Sequence, residues 1–192
     1  ESMGRLHDEV VKAMQQSALP QMLKPDSNYS IREFIEVCGT LGEGCMSAGW
    51  CNFVWGMHNY LIGLYPKTVQ SEVWDNTKTL ISASLNPQGT CSYSSNAETA
   101  TINGHWTFNS GCDHADWLLL GCRQKEDEPV LALLHKSQYQ ILEDSWDVMG
   151  LKGTGSKDAK VEEKTIPAKR ILPFSIAINP FAALLTLVIV GP

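Results

Sequence analysis

Residues 105–117 read HWTFNSGCDHADW, and this stretch lies where the sequence has changed from a helical to a strand-like pattern. Before residue 79 the apolar residues recur mainly at helical spacing, whereas beyond it short apolar runs alternate with turn residues. The order of the two patterns predicts an α+β fold class. We expect a helical block over residues 1–78, followed by an antiparallel sheet or β-barrel over residues 79–172.

The helical block contains several candidate helices. Apolar residues at helical spacing between residues 6 and 18 predict the first. Ser30, with Glu33 three residues later, forms a capping-box pattern that predicts the start of the second. Residues 40–64 are apolar nearly all round, which predicts a buried helix. Pro66 suits the first turn of a further short helix.

The strand region has one strong turn signal. Asn103-Gly104, flanked by ETATI and HWTFNS, is the dipeptide typical of a two-residue hairpin. WLLLGCR at 117–123 and PVLALLHK at 129–136 predict two more strands around an acidic turn, and KVEEKTIP at 160–167 predicts another.

Composition and charge exclude some partners. The formal net charge is −6 and no basic run occurs, which argues against nucleic acid and anionic membrane as partners. The six cysteines form no C-x-x-C pair, so we expect reduced thiols in the core of a cytoplasmic protein. The apolar run 181–190 is about half the length that a membrane-spanning helix needs. It suggests a truncated chain or a segment that a partner covers.

The opening stretch contains residue types found in metal and nucleophile sites. Cys112, Asp113 and His114 are adjacent, however, and adjacent strand residues point to opposite faces, so we predict no metal site. Ser110 lacks the G-x-S-x-G elbow of hydrolases, while a pairing of Cys112 with a distant histidine stays open.

Strand alternation favours a different kind of ligand. It predicts that Trp106, Phe108 and Ser110 share one face, with Thr107 and Asn109 on the other. Aromatic and small polar groups on one face suit a flat, conjugated ligand that is packed on its plane and hydrogen-bonded at its edge.

The same stretch also carries a family resemblance. FNSGCDHADW at 108–117 is preceded by LNPQGT and followed by SWDVMGLKGTGSKDAKVEEKTIPAKR, and MSAGWCNFVWGMHNYLIGLYP occupies 46–66. Together these segments resemble the flavin-dependent monooxygenases built on the acyl-CoA dehydrogenase fold, the oxygenase components of two-component systems of the p-hydroxyphenylacetate hydroxylase type. The resemblance extends to about residue 178. Lys152 and Ala159 depart from it, since the family usually carries arginine and valine there.

The resemblance implies an architecture and a chemistry. It implies an N-terminal helical domain (1–78), a central β-barrel (79–172) and, at 173–192, the start of a C-terminal helical bundle that forms a homotetramer. A separate flavin reductase would supply reduced FMN or FAD. Dioxygen would then form a C4a-hydroperoxyflavin that hydroxylates an aromatic, phenolic substrate.

The resemblance also implies site residues. His58 would assist phenol deprotonation, for which a near-neutral pKa is suited. Ser110 would lie near flavin N5, and Phe108 would stack on the isoalloxazine. The remaining positions expected at the cofactor are Trp50, Ser84, Leu85, Asn86 and Asn109.

Several alternatives stay open. His58, Trp50 and Phe108 could be plain core residues, and the two serines could bond only to backbone. Residues 150–156, GLKGTGS, suit a barrel loop better than a phosphate cradle, because no P-loop lysine and helix follow. The function could instead be that of an acyl-CoA dehydrogenase-type desaturase. That class usually has a T-E-x-x-x-G-S-D run where this chain has ASLNPQGTCSYSS, and it needs a carboxylate typically contributed by the bundle. An inactive flavin-binding or assembly fragment is the third alternative.

Overall fold

Helices come first in the computed structural model, which describes residues 3–124 and 128–177. They are α1 (Asp8–Gln16), α2 (Ile31–Gly44), α3 (Met46–Ile62) and α4 (Lys67–Val73). The capping box is confirmed: the Ser30 hydroxyl accepts from the Glu33 amide, and the Glu33 carboxylate accepts from the Ser30 amide. The single helix predicted over 40–64 is wrong at its start, because the extended backbone of Cys45 separates α2 from α3.

Seven strands in the described residues form one sheet. They are β1 (Ile81–Tyr93), β2 (Thr99–Asn109), β3 (Trp117–Arg123), β4 (Pro129–His135), β5 (Gln140–Leu142), β6 (Lys157–Pro167) and β7 (Ile171–Pro173). The strand order is β5-β6-β2-β1-β3-β4-β7.

The expectation of a purely antiparallel sheet is wrong for one pair. After the β1–β2 hairpin the chain crosses to the other side of β1, so β3 runs parallel to β1, whereas the other pairs are antiparallel. Among the described residues no ladder joins the end strands β5 and β7, so the sheet is open there and closure into a barrel is not confirmed.

The prediction of a hairpin turn at Asn103-Gly104 is also wrong. Both residues lie inside β2, and the chain turns at residues 94–98 instead, where the Ser94 amide donates to the Thr99 carbonyl over 3.0 Å. A Cβ at position 104 would come within 2.6 Å of the Gly89 Cα on the paired strand. The glycine therefore permits close strand packing rather than a turn.

Two apolar cores lie on opposite faces of the sheet. Leu118 and Leu120 pack with Trp106 on one face, while Leu119 packs on the other with the end of α3 and with α4. Because β3 and β4 are covered on both sides, their sequences read as unbroken apolar runs. A third cluster joins α1 to α3.

All six cysteines are free thiols. Within 3–124 and 128–177 the structure contains no helix with the length and hydropathy needed to cross a membrane. The apolar run 181–190, and with it the expected start of a helical bundle, lies outside the described residues.

Candidate functional site

The site begins where β1 leaves its ladder with β3. Ser84 pairs with Leu120 and Gly89 pairs with Cys122, so residues 85–88 form an outward excursion opposite Gly121. A Cβ on Gly121 would lie 2.3 Å from the Leu85 carbonyl oxygen. The missing side chain therefore lets the excursion pack on the sheet and presents Asn86 at the surface.

The Gln88 side chain joins this excursion to β2 by hydrogen bonds. Its Oε1 accepts from the Thr107 amide over 3.1 Å, and its Nε2 donates to the Thr107 hydroxyl over 3.3 Å. The Ser84 hydroxyl lies 3.5 Å from the same Oε1. Three residues from two sequence segments are thus joined beside Phe108.

Phe108 has an unusual backbone conformation for a residue with a large side chain. Its φ of 63° lies in the left-handed region, and its side chain is 69% exposed. The β2–β6 register shifts between Trp106 and Asn109, both of which are fully buried. The face predicted for Trp106, Phe108 and Ser110 together is therefore wrong, because a bulge interrupts the alternation and turns Phe108 outward.

An exposed aromatic residue in a strained conformation is a signal of function. A left-handed backbone conformation is energetically unfavourable for a bulky L-residue. At Phe108 the exposed ring gains little stabilisation from burial that could offset this strain. The ring lies nearly perpendicular to that of Trp146, with centroids 6.1 Å apart and an interplanar angle of 86°. Because 69% of the side chain is exposed, ring surface of Phe108 remains available for a ligand.

Ser110 lies two residues further on, and a chain of hydroxyls passes through it. The Trp50 indole donates to Ser110 Oγ over 3.0 Å, and Ser110 Oγ lies 2.8 Å from Ser156 Oγ. Ser156 Oγ in turn lies 2.8 Å from Thr154 Oγ1. The Ser82 hydroxyl donates to the Ser110 carbonyl over 2.7 Å and holds the bulge in place.

The indole of Trp50 is 46% exposed and borders an apolar groove between α2 and α3. The groove has a volume of about 550 Å³, and Phe53 and Leu151 are among its lining residues. Trp50 therefore joins the hydroxyl chain to a surface on which an apolar ring can pack.

His58 is buried and does not line this groove. The side chain is 7% exposed, and its Nδ1 is 2.9 Å from the Ile81 carbonyl oxygen. Burial lowers the pKa of His58 to about 4, against the raising effect of the Ile81 hydrogen bond. Because a carbonyl only accepts, the neutral ring carries its proton on Nδ1 and keeps a lone pair on Nε2.

Asn109 is the predicted cofactor residue whose side chain points away. It is fully buried, and its amide donates to the carbonyls of Trp106 and Lys157 over 2.9 and 3.0 Å. The side chain therefore holds the bulge against β6. A contact between residue 109 and a ligand would have to come from the backbone.

The residues that suggested a metal or a nucleophile have structural partners. Asp113 pairs with Lys157 over 2.6 Å, and His114 Nε2 lies 3.0 Å from the Leu6 carbonyl. Burial raises the pKa of the Cys112 thiol to about 12, so the reactive thiolate is disfavoured. In the part of the chain that the structure describes, no cluster of three His, Cys, Asp or Glu side chains could hold a metal ion.

The structure thus brings most of the expected residues into one region, in which Ser84 and Ser110 are buried. Leu85 and Asn86 lie on the excursion, which Ser84 immediately precedes. Phe108 and Ser110 lie at the neighbouring bulge, and Trp50 adjoins Ser110. Sequence reasoning missed Gln88, Trp146, Thr154 and Ser156. Each lies within a segment quoted for the resemblance, but only the fold shows its contacts.

The comparisons with known proteins identify the class. The oxygenase subunit HsaA of a flavin-dependent monooxygenase from Rhodococcus jostii (strain RHA1) is 34% identical over 188 residues, which are 93% of this chain and 48% of that protein. The oxygenase component of an FADH2-dependent resorcinol hydroxylase from Rhizobium sp. (strain MTP-10005) is 35% identical over 152 residues, covering 74% of this chain and 36% of that protein. The crystal structure of 3-HSA hydroxylase from Rhodococcus sp. RHA1 has a TM-score of 0.85 at 32% identity, covering 91% of this chain and 46% of that one. No protein-family model matches.

The chain is therefore a homologue of the oxygenase subunits of flavin-dependent monooxygenases, which confirms the resemblance read from its motifs. Its structural neighbours have the acyl-CoA dehydrogenase-like fold. The chain spans about half the length of the curated relatives it matches.

Proposed function

We propose that the protein is the oxygenase component of a two-component flavin-dependent monooxygenase, which uses reduced FMN or FAD and dioxygen to hydroxylate an aromatic, phenolic substrate. The observation that carries this proposal is Phe108, an exposed ring in a left-handed conformation beside the Ser110 hydroxyl. The relatives named as HsaA and resorcinol hydroxylase support the same reaction class.

The residues present fit an isoalloxazine ring. Phe108 offers exposed ring surface, and Ser84 together with Leu85 and Asn86 of the adjoining excursion supplies polar and backbone groups at its border. Ser110 supplies a hydroxyl whose oxygen is held by Trp50. Planar aromatic rings stack on such surfaces and are oriented by a few hydrogen bonds at their edges.

A bound reduced flavin would supply the electrons that activate dioxygen. The chain's own part is to hold the ring against Phe108, to place a hydroxyl at N5 and to keep water away. His58 is suited to take the phenolic proton, because its neutral ring keeps the Nε2 lone pair. Burial lowers its pKa to about 4, which keeps the ring unprotonated at neutral pH but makes it a weaker base than a histidine of near-neutral pKa, so the charge of a bound phenolate would have to raise this pKa for the transfer.

The wider organisation is part of the proposal. A flavin reductase is the expected partner, in line with the relatives' names as oxygenase subunit and component. We further propose domains at 1–78, 79–172 and 173–192, closure of the sheet into a barrel, and a homotetramer. The free thiols support a cytoplasmic location.

Anaerobic titration with reduced FMN and reduced FAD, followed by mixing with aerated buffer and a panel of phenols, tests the proposal. We expect saturable binding of a reduced flavin and a hydroxylated product. Phe108→Ala should weaken binding, whereas Tyr93→Ala, which removes an exposed ring at the far end of β1, should not. Tight oxidised flavin that is bleached by an acyl-CoA thioester would instead indicate a dehydrogenase. The absence of flavin binding would contradict the proposal.

A further inference from the structure

The hydroxyl chain through Ser110 has a defined direction. At one end, Thr154 Oγ1 donates to the Leu151 carbonyl over 2.9 Å, and a carbonyl oxygen only accepts. Each hydroxyl has one proton, so the proton of Thr154 is committed to that bond. In the 2.8 Å contact between Thr154 and Ser156, the donor must therefore be Ser156.

The next two hydroxyls toward the site, those of Ser156 and Ser110, are oriented in the same way. Because the Ser156 hydroxyl donates its one proton to Thr154, the donor in the 2.8 Å contact between Ser110 and Ser156 must be Ser110. Ser110 Oγ also accepts the Trp50 indole proton over 3.0 Å. Both serines and Thr154 are at least nine-tenths buried, so water does not compete for these bonds. Ser110 is left with one lone pair and no proton to offer a ligand.

We propose that Ser156 and Thr154 are positioning residues that fix the Ser110 hydroxyl as a hydrogen-bond acceptor, so that the site binds reduced flavin in preference to oxidised flavin. A reduced isoalloxazine carries a proton on N5, which pairs with the free lone pair of Ser110. An oxidised isoalloxazine has a bare N5, and two lone pairs then face each other. This inference rests on the proposed function, which places N5 at Ser110.

Removing the far end of the hydroxyl chain weakens the preference for reduced flavin. In Thr154→Val the proton of Ser156 loses its acceptor and turns to Ser110 Oγ, which frees the proton of Ser110 to face the flavin. Ser156→Ala frees the same proton directly. Thr154→Ser keeps a hydroxyl and is the matched control for both changes.

The readout is the ratio of the dissociation constants for oxidised and reduced FMN, measured anaerobically and repeated with FAD. We expect the parent and Thr154→Ser to favour reduced flavin, and both Thr154→Val and Ser156→Ala to lower the ratio by about tenfold, the size of one hydrogen bond. A merely structural role would weaken both forms together and leave the ratio unchanged, which would overturn the inference while the proposed function stands. A parent protein that binds neither form would overturn the proposed function and this inference with it.

Discussion

Replacing His58 by asparagine tests how burial acts on the central helix. Asparagine keeps an amide N–H for the Ile81 carbonyl but does not titrate. In the folded chain burial lowers the pKa of His58 from 6.5 to about 4, whereas the unfolded chain recovers the ordinary value. Between these two pKa values the unfolded state binds the proton and the folded state does not.

The sign and size of the effect follow from this difference. Above pH 6.5 the imidazole is neutral in both states, so the full stability is present. As the pH falls from 6.5 toward 4, proton uptake by the unfolded chain lowers the free energy of unfolding. Each tenfold change in proton affinity is worth ~1.4 kcal/mol, so the loss reaches about 2 kcal/mol at pH 5 and about 3 kcal/mol in total.

Urea unfolding at a series of pH values from 7.5 to 4.5 measures this loss. Carboxylates contribute a slope that the parent and the variant share, so the difference between the two curves isolates His58. His7→Asn makes the same exchange at an exposed position and serves as the matched control. If the parent and His58→Asn curves stay parallel from pH 6.5 to 5, the account of the buried imidazole is wrong.

Three further predictions concern the site and its support. Phe108→Gly should raise the free energy of unfolding by about 1 kcal/mol, because glycine relieves the left-handed strain, yet it should weaken binding of reduced flavin. Gly121→Ala should cost ~1–3 kcal/mol in urea unfolding and also weaken flavin binding, because its methyl group would displace the excursion at residues 85–88. Lys157→Met should cost ~3–5 kcal/mol, since it leaves the Asp113 carboxylate buried without its cation.

Each of these has a matched control. Phe108→Ala keeps the strain, so it should lose flavin without gaining stability. Gly39→Ala adds a methyl group on α2 where nothing lies within 4 Å, and it should not destabilise. Adding Asp113→Leu to Lys157→Met should recover most of the lost stability. Equal stability of the single and double variants would contradict the ion-pair explanation.

The ion pair at Lys157 also has a defined protonation state. Burial acts to lower the pKa of Lys157, but the hydrogen bonds and charges of Asp113 and Glu143 outweigh it, so the pKa is raised overall. We therefore expect the ammonium to stay charged across the neutral range. The charged pair holds the turn at Asp113 against the start of β6, next to Ser156 of the hydroxyl chain.

Local sequence rules determined much of the helical block. The capping box at Ser30 and Glu33 depends only on neighbours three residues apart, so the sequence alone predicts it. Pro66 likewise immediately precedes α4. The apolar runs of β3 and β4 indicated buried strands for a reason that is equally local, because the side chains that precede Arg123 in β3 and His135 in β4 are all apolar.

Tertiary contacts decided the path and the side-chain orientation of β2, the strand that carries the site. Gly104 reads as a turn residue, but the approach of Gly89 on the paired strand uses it for packing. Alternation put Phe108 on the face of Trp106, but a shift in the pairing with β6 turned it outward. A bulge depends on a partner more than forty residues away in sequence, which no local periodicity contains.

The site residues likewise fall into those that the sequence predicted and those whose contacts only the fold created. The sequence by itself named His58, Ser84, Phe108 and Ser110, through motifs whose residues are contiguous. Only the fold brought Trp50 to within 3.0 Å of Ser110 and set Ser156 and Thr154 behind it. The direction of a hydroxyl depends on which acceptors lie around it in space, and those acceptors come from segments that are far apart in the chain.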